Sequence, residues 1–374
     1  QEDKFEKAND VLMRTQLFNQ RAMALLMPAV GLAMNALSLT IYWVGAAIVN
    51  RVSATDLAGR ISTFGDIVVF GTYATYIIMS LMMLVMILVL LPMAQVSAVR
   101  INEVLDAPIS LHEGKTTEAP EQGTVEFRDV SFRYPSSSGD VLEHVSFRAN
   151  KGETVAFIGA TGSGKTTLVS LAARFYDATE GQVLIDGQDV RSYSFDALYD
   201  RIGYVTQRAI VFAGDVRSNV LFGESSAPQD DESVQRALSL AQATEFVDKL
   251  PGKLDAPIAQ AGANVSGGQK QRLSIARALA RKPEILIFDD SFSALDYRTD
   301  ASLRAGLARE LSDTTCLIVA QRIGTIRHAD RIVVLDEGRV AGIGTHDELM
   351  KNCGVYREIA MSQLSAAELE KEGV

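Results

Sequence analysis

The chain has little cysteine and histidine and no excess of basic charge. Its 374 residues include two cysteines and four histidines. These are too few for a disulfide framework, and the histidines lack metal-ligand spacing. Lys and Arg number 36 against 46 Asp and Glu, which gives a formal net charge of −10. General nucleic-acid binders usually have a basic face, so this balance argues against a nucleic-acid partner. A hydrophobic content of 47% excludes wholesale disorder.

Charged residues are missing altogether from two long stretches, residues 22–50 and 67–99. About 20 apolar residues suffice to span a bilayer as a helix. Buried core helices of a soluble protein are the alternative, but such helices seldom lack charge over this length. A short polar loop joins the two stretches. We therefore predict a transmembrane hairpin with spans of about residues 22–50 and 64–99, within a first domain of residues 1–105.

The rest of the chain predicts a linker, an α/β domain and a tail. Residues 106–122 contain two prolines and mixed charges, which is typical of a linker. Strand-like segments follow at residues 124–134, 141–149 and 153–159. We predict one α/β domain over residues 123–363. Residues 364–374 are interpreted as an acidic C-terminal tail that forms a frayed helix.

The third strand-like segment runs into a glycine-rich loop that fits G-x-x-x-x-G-K-[ST]. Its glycines let successive backbone N–H groups converge on a phosphate, and the helix that follows adds its positive end. We predict that Lys165 reaches the β/γ-phosphates of a bound nucleotide and that the Thr166 hydroxyl binds Mg²⁺. The predicted nucleotide-binding residues here are Gly159, Ala160, Thr161, Gly162, Ser163, Gly164, Lys165, Thr166 and Thr167.

A second apolar strand, residues 284–290, ends in two acids. Asp289 lies where it can hold Mg²⁺ through water. A capped strand end is the alternative interpretation, but the phosphate loop upstream favours the metal site.

With these motifs the chain resembles an exporter-type ATP-binding cassette (ABC) transporter. Val265–Gln269 and the helix after it resemble the ABC signature. The resemblance implies that two cassettes sandwich two ATP molecules, each signature contacting the ATP of the opposite subunit. The residues implied in that contact are Ser266, Gly267, Gly268 and Gln269.

Other segments resemble further motifs of the family, in the family's order. Tyr134 resembles the aromatic residue that stacks on adenine. Gln207 resembles the Q-loop glutamine, a ligand of Mg²⁺ or water and a contact with the membrane domain. Ser293–Asp296 resembles the D-loop, with Asp296 as its acid.

The apolar hairpin resembles the last two of six transmembrane helices in an exporter half-transporter. The fold class implied is an α-helical transmembrane segment followed by an α/β P-loop ATP-binding cassette with a helical signature subdomain. The resemblance further implies four spans before residue 1 and a multi-pass protein of the bacterial cytoplasmic membrane, with the cassette in the cytoplasm.

Two catalytic positions depart from the family pattern. Asp290 stands where the family usually has Glu, and its carboxylate is set back by roughly 1–1.5 Å, a misplacement of the size that can cost 100-fold in rate. Gln321 stands where the family usually has a switch His, and an amide can carry neither a proton nor a positive charge at neutral pH. The pair resembles the degenerate-site subunit of a heterodimeric multidrug exporter, whose partner would carry an intact catalytic Glu. A homodimer with slow sites is the alternative.

Aromatic and sulfur side chains in the second span bear on the substrate. Phe64, Phe70, Tyr73 and Tyr76 lie with several methionines in the second span, which suits binding of amphipathic small molecules. Packing against membrane lipid or other helices accounts for them as well. We predict amphipathic substrates, with lipids or peptides next. A regulatory ATP-binding subunit that does not pump is the competing class, and a soluble cassette of the DNA-repair kind is disfavoured by the uncharged stretches.

Overall fold

The structure, a computed structural model, describes residues 2–363 apart from Ser136 and Ser138. It divides into two units, Gln1–Pro108 and Ile109–Val374. The predicted acidic tail, residues 364–374, lies outside the described residues. The two units are described separately below.

The first unit consists of two long helices, α1 (Glu2–Arg51) and α2 (Leu57–Leu105). A Cβ atom on Gly45 would lie 2.7 Å from Cγ2 of Ile67, and one on Gly71 would lie 3.9 Å from Ile41. This pairing shows that the helices run antiparallel, as the predicted hairpin requires. Both helices are long and apolar enough to cross a membrane, and no described residue of α2 is buried.

The turn of the hairpin is shorter than predicted. The polar residues 50–63 were expected to form a loop, yet α1 continues to Arg51 and α2 begins at Leu57. Asp56 caps α2 by accepting a hydrogen bond of 2.9 Å from the Gly59 amide. Arg60 closes the turn by donating to the Val52 carbonyl at 3.1 Å. The polar residues thus cap α2 and close the turn through hydrogen bonds.

The second unit is built on a six-stranded sheet with the order β12-β11-β3-β10-β9-β6. Its neighbours are parallel except for β12, which pairs antiparallel with β11. A four-stranded antiparallel sheet has the order β2-β1-β4-β5, and β7 pairs with β8. The strands are β1 (Val125–Phe132), β2 (Leu142–Ala149), β3 (Thr154–Gly159), β4 (Glu180–Ile185), β5 (Gln188–Asp189), β6 (Ile202–Val205), β7 (Gly214–Asp215), β8 (Pro257–Ile258), β9 (Ile285–Asp289), β10 (Thr315–Val319), β11 (Arg331–Asp336) and β12 (Arg339–Gly344).

Helices connect the parallel strands, and the predicted helical segment around the signature lies between β6 and β9. The helices are α3 (Lys165–Ala172), α4 (Phe195–Arg201), α5 (Val216–Val220), α6 (Asp231–Leu240), α7 (Thr244–Asp248), α8 (Gly267–Ala280), α9 (Tyr297–Glu310), α10 (Ile323–Ile326), α11 (His346–Asn352) and α12 (Gly354–Gln363). Strands β9 and β10 are buried throughout, as is usual for parallel strands covered on both faces.

The sheet order brings four chain segments to one edge. Strands β3, β10, β9 and β6 are parallel neighbours, so their carboxyl ends lie side by side. The glycine-rich loop follows β3, Gln321 follows β10, Asp290 follows β9, and Gln207 follows β6. Ligands of open α/β sheets usually bind at this edge.

The first residues of the second unit lie along its surface. The Gly114 and Thr116 amides donate to the Tyr193 and Ser192 carbonyls, each at 2.9 Å. Arg174 donates from Nη2 to the His112 carbonyl at 2.7 Å. The stretch predicted as a linker is therefore hydrogen-bonded to the unit that follows it.

Candidate functional site

The glycine-rich loop forms a cradle between β3 and α3. Gly164 has φ +95°, and a Cβ atom there would lie 2.6 Å from Cδ2 of Leu142. Only glycine fits this position without strain. Gly164 is also the N-cap of α3, and no side chain caps that helix start. The first N–H groups of α3 are therefore available to an anion.

Lys165 lies within this loop and is 9% exposed. Its Nζ donates to the carbonyls of Gly159 at 2.9 Å and Ala160 at 2.7 Å, and to Ser163 Oγ at 3.3 Å. Burial lowers the pKa of the Lys165 ammonium, while the carboxylates of Asp289 and Asp290 act in the opposite direction. The loop thus holds a positive charge close to two acids.

Asp289 ends β9 and is buried beside α3. Thr166 Oγ1 donates to its Oδ1 at 2.9 Å, and the Tyr204 hydroxyl donates to its Oδ2 at 3.3 Å. Burial raises the pKa of Asp289, although these two hydrogen bonds oppose the shift. A buried carboxylate next to a hydroxyl is a place where a cation would offset the cost of desolvation.

Asp290 accepts hydrogen bonds from two amides. Gln207 Nε2 donates to its Oδ2 at 3.0 Å, and Gln321 Nε2 donates to the same oxygen at 2.8 Å. Burial raises the pKa of Asp290, and both amide hydrogen bonds oppose this. The two departures from the family pattern are therefore in direct contact with each other and with the predicted Q-loop glutamine.

Lys165, Thr166, Asp290 and the two glutamines line one cavity of about 310 Å³. It lies between the glycine-rich loop and the strand ends, and the predicted metal ligand Asp289 is not among the described residues that line it. Its lining is Val141, Thr161, Gly162, Gly164, Lys165, Thr166, Thr167, Gln207, Asp290, Val319 and Gln321.

Tyr134 lies next to this cavity through its hydroxyl, which is 3.1 Å from Thr167 Oγ1. Its ring packs edge-on against Phe132 and Tyr176, with centroids 4.8 and 5.1 Å away. The aromatic side chain predicted to stack on adenine is thus anchored beside the phosphate loop.

The residues predicted to form the signature, and Asp296, lie outside this cavity, since none of them is among the described residues that line it. Ser266 is exposed and caps α8 in a reciprocal box with Gln269. A Cβ atom on Gly267 would meet nothing within 4 Å, so this helix start is open. Asp296 caps α9 by accepting from the Thr299 amide at 3.0 Å.

Tyr204 is a site residue that was not predicted from the sequence. Its hydroxyl supports Asp289 because β6 pairs with β9 and places Tyr204 beside Ile287. The signal available in the sequence was its position three residues before Gln207. Val141 and Val319, which form apolar parts of the cavity wall, carried no signal.

The side chains around this cavity fit Mg²⁺ and a nucleoside triphosphate. Mg²⁺ is usually bound through one or two carboxylates together with phosphate oxygens and waters, and Asp289 and Thr166 offer a carboxylate and a hydroxyl side by side. Gln207, the third predicted ligand, lies in the same cavity with its amide nitrogen on Asp290. Within the described residues there is no cluster of three His, Cys, Asp or Glu side chains that could hold a metal ion.

Comparison with known proteins agrees with this geometry. Residues 142–293 match the family model described as ABC transporter. An uncharacterized ABC transporter ATP-binding protein of Mycobacterium tuberculosis is 39% identical over 371 residues, which are 98% of this chain and 62% of that protein. An ATP-dependent lipid A-core flippase of Xanthomonas oryzae pv. oryzae is 39% identical over 324 residues, 86% of this chain and 55% of that protein.

A solved structure is also similar, that of a bacterial Atm1-family ABC exporter with ATP bound. It has a TM-score of 0.72 and 31% sequence identity, and the likeness covers 92% of this chain and 59% of that one. The chain therefore spans about three fifths of the length of the proteins it matches. The cavity, the family match and this likeness together show that the chain carries an ABC transporter ATP-binding domain and has the fold of an exporter of this type.

Proposed function

We propose that the chain is the ATP-binding subunit of an ABC exporter, which couples ATP binding and hydrolysis to efflux of amphipathic small molecules. The cavity that joins Lys165, Thr166 and Asp290 supports the nucleotide part of this proposal. The two long apolar helices and the exporter-type relatives support the membrane part. The protein would be multi-pass in a bacterial cytoplasmic membrane, with this domain in the cytoplasm and a second half-transporter as its partner.

The open start of α8 supports pairing of two ATP-binding domains. Ser266 is exposed, and Gly267 and Gly268 leave room for another surface to approach, since a Cβ atom on Gly268 would lie 3.6 Å from its nearest neighbour. An uncovered helix N-terminus attracts phosphate. In the proposed dimer this helix start contacts the ATP held by the partner subunit.

An aromatic surface downstream of Gln207 supports coupling to membrane helices. The rings of Phe212 and Phe222 stack with centroids 4.1 Å apart, and both side chains are partly exposed. Arg277 lies over both rings and donates to the Ile210 and Asn219 carbonyls, each at 2.8 Å. This half-buried arginine fixes the segment that carries the two exposed rings.

The contact of Asp290 with Gln321 is the observation that carries the proposal of a weakly hydrolytic site. A catalytic carboxylate must reach the attacking water, but Asp290 is short and its Oδ2 already accepts two amide N–H groups. Gln321 cannot exchange a proton with substrate. The proposed site therefore binds ATP and hydrolyses it slowly, and the partner's site performs most of the turnover.

The mechanism follows from positioning, because phosphoryl transfer needs aligned groups and charge stabilisation. Lys165 and the first N–H groups of α3 bind the phosphates of the substrate ATP and neutralise their charge. Thr166 and Asp289 would hold Mg²⁺, which when bound withdraws charge from the β/γ-phosphates. Closure of two such domains would draw the segment after Gln207 inward and turn the transport pathway outward.

A lipid substrate is the second candidate, because one relative is a lipid A-core flippase. The uncharged face of α2, with Phe70, Tyr73 and Tyr76 exposed, suits acyl chains as well as amphipathic drugs. Efflux of fluorescent amphipaths and flipping of labelled lipid by the same vesicles would separate the two. Hydrolysis with neither activity would instead favour a regulatory subunit that does not pump.

Restoring the missing groups tests the proposal. The double variant Asp290→Glu with Gln321→His should raise ATP hydrolysis of the full-length protein in lipid by about tenfold or more, since it returns a longer carboxylate and a proton carrier. Lys165→Ala in the same background should abolish the gain, which assigns it to this site.

Two results would contradict the proposal. One is a double variant whose hydrolysis equals that of the unmodified protein. The other is brisk Mg²⁺-dependent turnover by the unmodified chain alone that is lost on Lys165→Ala, which would indicate a competent homodimer.

A further inference from the structure

The loop between β10 and α10 has room to move, because two cavities border it. Gln321 in this loop lines the ATP cavity together with Lys165 and Thr166. It also lines a larger cavity of about 1180 Å³, which is bordered by residues of α9 and α10 and by Gln363. The side chain at position 321 therefore has space on either side. Its orientation towards the ATP cavity depends on how the backbone of the loop is held.

Gln363, at the end of α12, binds the backbone of this loop at two points. Its Nε2 donates to the Gln321 carbonyl at 2.8 Å, and its Oε1 accepts from the Ile323 amide at 2.9 Å. One planar amide thus bridges the residues on either side of Arg322. Because the bridge joins a carbonyl and an N–H group to a single rigid plane, it fixes both the position and the direction of the loop backbone.

The two backbone groups that Gln363 binds lie between a strand and a helix. Hydrogen bonding to the sheet reaches Ala320, whose amide donates to the Phe157 carbonyl at 3.1 Å. The helix α10 begins at Ile323, and its N-cap residue Arg322 makes no side-chain capping hydrogen bond. The first N–H groups of a helix have no partner within the helix. Gln363 therefore supplies, from a distant part of the sequence, hydrogen bonds that this strand end and helix start need.

The helix α12 holds Gln363 on a firm support. Tyr356 and Ala360 are fully buried, and Gln363 follows them at the spacing of one helix face. Both buried residues belong to the same hydrophobic cluster as Ile323. The Tyr356 hydroxyl also lies 2.7 Å from Nδ1 of His346, which is buried as well. The amide of Gln363 is thus presented to the loop by a helix whose inner face is packed into the core.

We propose that Gln363 is a positioning residue of the ATP site, which holds the loop after β10 so that the side chain at position 321 faces the ATP cavity. The C-terminal helix α12 thereby acts on a cavity that none of its described residues lines. The inference rests on the proposed function of this cavity as an ATP site. Because Gln363 binds the backbone of the loop, its effect is independent of which side chain stands at position 321.

Cysteine labelling at position 321 tests this orientation directly. Gln321→Cys keeps the backbone that Gln363 binds, and the native Cys316 and Cys353 are buried. In the full-length protein in lipid, saturating AMP-PNP with Mg²⁺ should slow maleimide modification of the new cysteine about tenfold, measured by mass spectrometry of the peptide that contains it. With Gln363→Leu added, AMP-PNP should slow the modification less than about twofold, since loss of two hydrogen bonds lowers the population of the held loop about tenfold.

Gln363→Glu keeps the acceptor for the Ile323 amide and loses the donor, so its protection should be intermediate. Glu358→Leu is the matched control, an exposed position on the same helix, and should keep the full protection. Full protection with Gln363→Leu would overturn the proposal, and if that variant does not fold, full protection with Gln363→Glu would do so. Failure of the proposed function gives a different result: AMP-PNP would then protect the cysteine in no variant, even with Gln363 present, and the role assigned to Gln363 would fall with it.

Discussion

At the scale of single residues, a buried acid away from the nucleotide is predicted to make the stability of the second unit depend on pH. Asp186 is fully buried and accepts from the Thr124 amide at 2.9 Å. Burial raises the pKa of Asp186 to about 6, helped by the neighbouring carboxylate of Glu284, while the Thr124 amide and Arg201 oppose the shift. Two acids side by side share protons, because both cannot ionise without cost.

The pH dependence of stability follows from this shift. Because the folded pKa exceeds the unfolded value of 3.8, the native state binds more protons between pH 4 and 6, and stability falls as the pH rises through that window. The loss attributable to Asp186 is about 2–3 kcal/mol. Asp186→Asn should remove this part of the slope, so calorimetric unfolding of variant and parent should differ more at pH 7 than at pH 4. An equal difference at both pH values would contradict the assignment.

At the scale of elements, residues 112–117 bind the second unit through backbone contacts. The Gly114 and Thr116 amides donate to the Tyr193 and Ser192 carbonyls, and Arg201 donates from Nη2 to the Thr117 carbonyl at 3.0 Å. A Cβ atom on Gly114 would lie 2.1 Å from the Ser192 carbonyl oxygen. The attachment of this segment therefore depends on a residue without a side chain.

Gly114→Val should detach this segment, because the new side chain cannot coexist with the Ser192 carbonyl. We expect a loss of about 1–3 kcal/mol in the unfolding free energy of the second unit and faster amide exchange at residues 112–117. Gly139→Val is the control, since a Cβ atom there meets nothing within 4 Å. Equal exchange rates in the two variants would show that the contact does not hold the segment.

At the scale of the whole molecule, the open start of α8 is proposed to complete an ATP site on the partner, distinct from the site that this chain builds itself. Gly267 begins α8, and a Cβ atom there meets nothing within 4 Å. A larger side chain is thus compatible with the fold of this chain. Its effects should appear only when a second ATP-binding domain approaches.

Gly267→Glu should leave ATP binding by this chain unchanged but lower ATP hydrolysis of the complex with its partner by at least about tenfold, because a carboxylate would face the partner's phosphates. Gly306→Glu, on α9 and equally open, is the matched control and should retain turnover. Turnover within twofold of the parent for Gly267→Glu would argue against the proposed contribution to the partner's site.

Much of the fold was predictable because its signals are local. The uncharged stretches predicted the two helices of the first unit, and the glycine-rich pattern predicted the strand, loop and helix around Gly164 and Lys165. The hairpin turn was predicted too long, because Asp56 and Arg60 were interpreted as loop residues when they cap and close it. Polar side chains near a helix end form hydrogen bonds with the free backbone groups of that end. Amino-acid composition alone does not distinguish such capping residues from the residues of a loop.

The sequence by itself determined the phosphate loop, since left-handed glycines and a helix start lie within a few consecutive residues. It also identified Asp290 and Gln321 as unusual positions. Only the tertiary structure decided that both contact Gln207, that Tyr204 supports Asp289, and that Asp186 is buried. These contacts depend on the order of β6, β9 and β10 in the sheet. Hydrogen bonds between the ends of neighbouring parallel strands join residues far apart in the chain, so no local pattern records them.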